Sequence, residues 1–132
     1  LLADRVGPTG RLVAVEADER AAADARAALA AGPAPAEVRA ARVTPGLLGG
    51  LGLHPDLVVL DPPRSGAGTE VMAALLELGP RAIGYVACDP ASFARDLRVA
   101  LDAGWELRAL RAFDCFPMTS HVETVALLCP PP

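Results

Sequence analysis

Along this chain, short apolar runs alternate with longer stretches of helical spacing rich in alanine and leucine. Arg11–Glu16, Asp56–Leu60 and Ala82–Ala87 are compact apolar segments bounded by turn residues, the pattern of buried strands. Between them the spacing predicts helices. One runs from Asp18 to Ala31, with Asp18 as its N-terminal cap and Gly32-Pro33 as its stop. A second is capped by Thr69, runs to Leu78 and ends at Gly79-Pro80. A third is capped by Asp89, has Pro90 at its first position and ends at Gly104. Leu1–Arg5 reads as the end of a further helix, closed by Gly7-Pro8. Glu37–Val43 is a weak strand candidate, and Thr44–Gly52 fits either a short helix or a loop. Trp105–Phe113 and Val122–Leu128 are the last two strands. The turn joining them is short, so they are expected to pair antiparallel.

Strand–helix alternation of this kind predicts an α/β fold with three layers and right-handed crossovers. The sheet would be mainly parallel, with the antiparallel pair at its C-terminal end. No internal repeat or linker divides the chain, so residues 1–132 are read as a single partial domain. Because the chain opens inside a helix, the N-terminal part of the fold is expected to be missing.

Composition narrows the class. The chain has 132 residues, 52% of them hydrophobic and 4% aromatic, enough apolar material for a core. No apolar run reaches the length of a membrane span, and no basic-then-apolar leader opens the chain. A cytoplasmic protein is expected. Three widely spaced cysteines form neither a disulfide framework nor a metal-ligand pattern. All twelve basic residues are arginine, against sixteen acids, for a formal charge of −4. A piece of this charge is not an electrostatic nucleic-acid binder by itself, since such binding rests on basic neutralisation of phosphates. No protein partner is implied.

The chemistry sits where strands stop. In open parallel sheets, ligands bind beyond the carboxyl ends of the strands. Asp56–Leu60 stops at Asp61, where Pro62 and Pro63 force the chain out of the ladder. A turn aspartate bonding its own backbone is the plainer role for Asp61, yet the rigid Pro-Pro step suits it to binding. Ala82–Ala87 stops at Cys88, at the start of a helix whose positive end favours a thiolate, though Asp89 opposes that effect. The plainer role for Cys88 is a packed thiol; Cys115 and Cys129 are read as packing residues. Glu16 ends a strand before a helix, where an acid in nucleotide-binding folds accepts hydrogen bonds from ribose hydroxyls; a solvated acid fits as well. An antiparallel last strand would bring Glu123 and His121 to the rim that holds Asp61 and Cys88. A thiol with a carboxylate base beside it is a covalent-catalysis arrangement. For His121 a loop histidine bonded to backbone remains the plainer reading.

Three stretches in order, Asp61-Pro-Pro-Arg-Ser-Gly66, Tyr85-Val-Ala-Cys-Asp89 and Phe113-Asp-Cys-Phe-Pro-Met-Thr-Ser-His-Val-Glu123, resemble the RNA uracil-5-methyltransferase family. The resemblance implies a Rossmann-like class I methyltransferase fold, S-adenosylmethionine as cofactor and a uridine of ribosomal or transfer RNA as substrate. It implies that Cys88 attacks uracil C6 and that Glu123 removes the C5 proton. Asp61 would lie between base and cofactor, Glu16 would hold the cofactor ribose, and Arg64 and His121 would contact substrate. The chain departs from the family pattern in having Ala87 and Asp89 around the cysteine where Ser and Asn are usual. Met118 also stands where Gln, His or Tyr is usual. The family's Gly-rich cofactor loop and RNA-binding domains lie upstream, so a C-terminal fragment is expected, inactive alone. An amino-group methyltransferase, which also carries an acid or amide before Pro-Pro, is a second reading. Arg64 counts against it, since an aromatic residue usually stands there. A non-catalytic α/β binding module is a third.

Overall fold

The computed structural model describes residues 2–116, 118–119 and 122–131. Among them the elements follow in the order α1 (Leu2–Val6), β1 (Leu12–Glu16), α2 (Glu19–Ala30), β2 (Ala36–Ala40), α3 (Pro45–Gly50), β3 (Leu57–Leu60), α4 (Thr69–Glu77), β4 (Ala82–Ala87), α5 (Pro90–Asp102), β5 (Glu106–Phe113) and β6 (Glu123–Cys129). They group into two compact units, residues 1–43 and 44–132.

In the first unit β1 and β2 pair in parallel, Leu12 opposite Ala36 and Glu16 opposite Ala40. Helix α2 forms because alanine has the best helix propensity and Asp18 caps it, its Oδ1 accepting from the Ala21 amide at 2.8 Å. Its one fully enclosed side chain is Ala22. Arg11 and Arg39 flank Glu37 on β2 at 2.8 and 2.7 Å, and their hydrogen bonds hold its carboxyl below the ordinary value.

In the second unit the strand order is β3-β4-β6-β5. β3 and β4 are parallel, and β6 runs antiparallel to both β4 and β5. The antiparallel pair expected from the short connection is thus present, with β6 inserted between β4 and β5. Helices α4 and α5 cover one face of this sheet. Beneath them lies the core, with Met72, Ile83, Tyr85 and Leu128 less than 2% exposed. Each such side chain is worth about 1.5–3 kcal/mol of burial. The alternation follows the pleat: Ile83, Tyr85 and Ala87 point into the core, while Gly84 and Val86 point to the other face. Val59, opposite Gly84, and Leu127, also opposite Gly84, belong to that second face and are exposed within this unit.

One open reading is resolved and two local expectations change. Thr44–Gly52 resolves as a helix, α3, because the Thr44 side chain accepts from the Leu47 amide at 3.1 Å and Pro45 follows at the first position. Thr69 is not the cap of α4. Gly68 holds that position with φ 90° and no side-chain bond, and its carbonyl accepts the first helical bond from Met72 at 2.9 Å. Cys115 is exposed and therefore not a packing residue.

Candidate active site

Carboxyl-end chemistry in the second unit converges because of the register. Along β4 and β6 the partners are Ile83–Leu128, Tyr85–Ala126 and Ala87–Thr124. One step further along the same register sets Cys88 level with Glu123, the first residue of β6. Neighbouring strands lie about 4.8 Å apart, so the two residues start from adjacent backbone positions. The Thr124 hydroxyl donates to the Ala87 carbonyl at 3.1 Å and fastens β6 to β4 at this rim. On the other flank of β4, Leu60 pairs with Tyr85, and Asp61 follows as β3 ends. Asp61, Cys88 and Glu123 thus stand on three adjacent strands at one end of the sheet. Cys88 and Glu123 are half-buried and Asp61 is exposed.

Asp89 caps α5 as expected, accepting from the Ser92 amide at 2.7 Å, with Pro90 next. That bond and the Ser92 hydroxyl hold its carboxyl below the ordinary value, and the Arg64 charge adds to the effect. Arg64, from the loop after β3, is therefore close enough to Asp89 to act on it electrostatically.

The loop from Asp61 to Gly68 is tied down by a group that sequence reasoning missed. Asp96 of α5 is fully buried. Its carboxylate accepts from the Ala67 amide at 2.6 Å, the Gly68 amide at 3.2 Å, the Tyr85 hydroxyl at 2.6 Å and Arg95 Nη2 at 3.0 Å. Arg95 also donates to the Ser65 carbonyl at 2.6 Å. Burial, reinforced by the bond to Asp96, pushes the Tyr85 phenol well above its ordinary value. The signal was available: Ser92, Phe93, Asp96 and Ala100 share the buried stripe of α5, and an acid on such a stripe demands partners.

Glu16 ends β1 in the first unit and is exposed. Its Oε1 accepts from the Asp18 amide at 2.8 Å, which orients the carboxylate. An exposed, oriented acceptor at a strand end fits a ribose diol. His121 lies outside the described residues.

The fold is that of an S-adenosylmethionine-dependent methyltransferase. A Leishmania major enzyme of that description matches with a TM-score of 0.59 at 10% identity, over 89% of this chain and 55% of its own. Sequence narrows the class: residues 52–130 match the family model of tRNA (uracil-5-)-methyltransferases, and the chain belongs to that family. The family is S-adenosylmethionine-dependent. Proteins of Streptomyces avermitilis and Streptomyces coelicolor described as uncharacterized RNA methyltransferases are 48% and 49% identical over 98% of this chain. The chain spans 30% and 28% of their lengths. The Pyrococcus abyssi tRNA (uracil-54, C5)-methyltransferase, solved with S-adenosyl-L-homocysteine, matches 96% of this chain and 29% of its own, at 32% identity and a TM-score of 0.72.

Proposed function

We propose that the whole protein methylates C5 of a uridine in ribosomal or transfer RNA in the cytoplasm. Residues 1–132 would be the C-terminal part of its catalytic domain. The observation that supports this is the pairing of β4 with β6, whose register, continued by one residue, brings the backbones of Cys88 and Glu123 to adjacent positions.

C5 of uracil is a poor nucleophile. Addition of the Cys88 thiolate to C6 forms an S–C bond and moves the C5–C6 π pair towards C5 and O4, giving an enolate-like carbon. S-adenosylmethionine, when bound, supplies a sulfonium methyl group as the electrophile for that carbon. Glu123 then removes the remaining C5 proton, and the released electron pair expels Cys88 as thiolate, restoring the C5–C6 double bond. Splitting one hard step into easier ones is what covalent catalysis provides. The base must leave its stack to reach a thiol at the sheet edge. In the first unit Glu16 is suited to a ribose diol; in the second, Asp61 stands beside the base. Arg64 and His121 contact the RNA substrate, a guanidinium being well matched to phosphate.

Fluorine at C5 cannot leave as a proton does. The full-length protein, incubated with S-adenosylmethionine and RNA containing 5-fluorouridine, is expected to give a covalent band on a denaturing gel, absent in Cys88→Ala. Active enzyme without that band, together with methyl transfer by Cys88→Ala, would favour the amino-group methyltransferase instead.

A further inference from the structure

The strongest buried polar network of the second unit has no part in the steps above. Its centre, the Asp96 carboxylate, is enclosed by donors from a loop, from β4 and from its own helix. The Ala67 and Gly68 amides come from the loop that begins at Asp61. The Tyr85 hydroxyl comes from β4, three residues before Cys88. Asp96 itself lies on α5, the helix that starts directly after Cys88. Arg95 adds a second tie, bridging Asp96 to the Ser65 carbonyl. The close approach is built into the chain at Gly66, whose φ is +79°. A Cβ there would fall 2.5 Å from Asp96 Oδ2 and 2.6 Å from Arg95 Nη2.

We propose that Asp96 is a positioning residue: by gripping the backbone of Ala67 and Gly68 it fixes where Asp61 and Arg64 stand relative to Cys88. Burying a carboxylate carries a desolvation cost, and an apolar contact would close the loop without it. What the ion adds is direction, since each bond fixes one loop atom against the strand and helix that hold the thiol. The role rests on the reaction centre proposed above, and misplacement by about 1 Å is sufficient to slow a reaction ~10²-fold.

The test compares wild-type full-length protein with Asp96→Asn and Arg95→Lys. Amide hydrogen exchange is read at Ala67 and Gly68, and single-turnover methyl transfer and the KM for RNA are measured. Arg95 is half exposed, so Arg95→Lys leaves the core intact and decides the matter if Asp96→Asn does not fold. Faster exchange confined to this loop, with methyl transfer slowed ~10- to 100-fold and KM within about 3-fold, is the expected result. For Arg95→Lys the same pattern is expected at the lower end of that range. Unchanged loop exchange, or a loosened loop with undiminished methyl transfer, overturns it. Because the readout is methyl transfer and not the thiol adduct, the comparison stands even if Cys88→Ala retains activity. That outcome would sink the covalent mechanism alone.

Discussion

At the residue scale, the mechanism proposed above divides the chemistry between Cys88, which forms one bond, and Glu123, which lets it break, so their variants should fail differently. Glu123→Gln keeps the shape of the side chain but cannot take a proton. Its Cys88 is expected to add to uracil C6 and C5 to take the methyl group, after which the adduct stalls with Cys88 still attached. Unmodified uridine RNA should therefore give a persistent covalent band with Glu123→Gln and none with wild type, and turnover should fall by about 10²- to 10⁴-fold. A Glu123→Gln protein that turns over at the wild-type rate would remove Glu123 from the proton-transfer role. The thiol and the carboxylate come from residues 35 positions apart in the chain, and only the pairing of β4 with β6 makes them neighbours.

At the scale of elements, the loop between β3 and α4 is the critical piece. Pro62 and Pro63 end the ladder, and Gly66 folds the chain back, its amide donating to the Pro63 carbonyl at 2.8 Å. Gly66→Ala places a methyl group against Asp96 and forces an L residue into the left-handed region. A loss of about 1–3 kcal/mol is expected, measured as a lower urea midpoint with unchanged slope. No change in midpoint would mean that the loop relaxes freely and is not held by Asp96. The same element explains the misread cap. Thr69 has the side chain of a capping residue, but the helix starts one residue earlier, on Gly68 with φ 90° and no side-chain bond, on the loop whose Ala67 and Gly68 amides Asp96 holds.

At the scale of the whole molecule, stability should occupy a pH window set by three groups. Glu37 and Asp89 titrate below their ordinary values of 4.5 and 3.8 in the folded protein. Their contribution is complete above those values and is lost as pH falls through the lowered ones. Tyr85 titrates above its ordinary value of 10.0, so its contribution is complete below that value and is lost as pH rises past it. Urea unfolding across pH should show weakening on both sides. Tyr85→Phe should remove the alkaline loss, and Glu37→Gln should flatten part of the acid one. An acid limb unaltered by Glu37→Gln would mean that its arginine pairs, both on the surface, contribute nothing measurable.

Most of the secondary structure was legible in the residues themselves. Strand and helix periods, Asp18 and Asp89 as caps, and the breaks at Pro62-Pro63 and Gly104 are local signals, read within a few positions of the atoms they govern. Family membership was legible too, because three motifs in order are a property of the chain alone. The insertion of β6 between β4 and β5, and with it the level placement of Cys88 and Glu123, depends on which strands exchange hydrogen bonds, a choice made by the burial of a whole sheet face. Asp96 illustrates the same divide. Its buried position was written in the stripe of α5, but its partners are the backbone amides of a loop 28 and 29 residues away. Main-chain N–H groups are the same for nearly every residue type, so no side-chain pattern identifies which of them a buried carboxylate will meet; folding alone decided that.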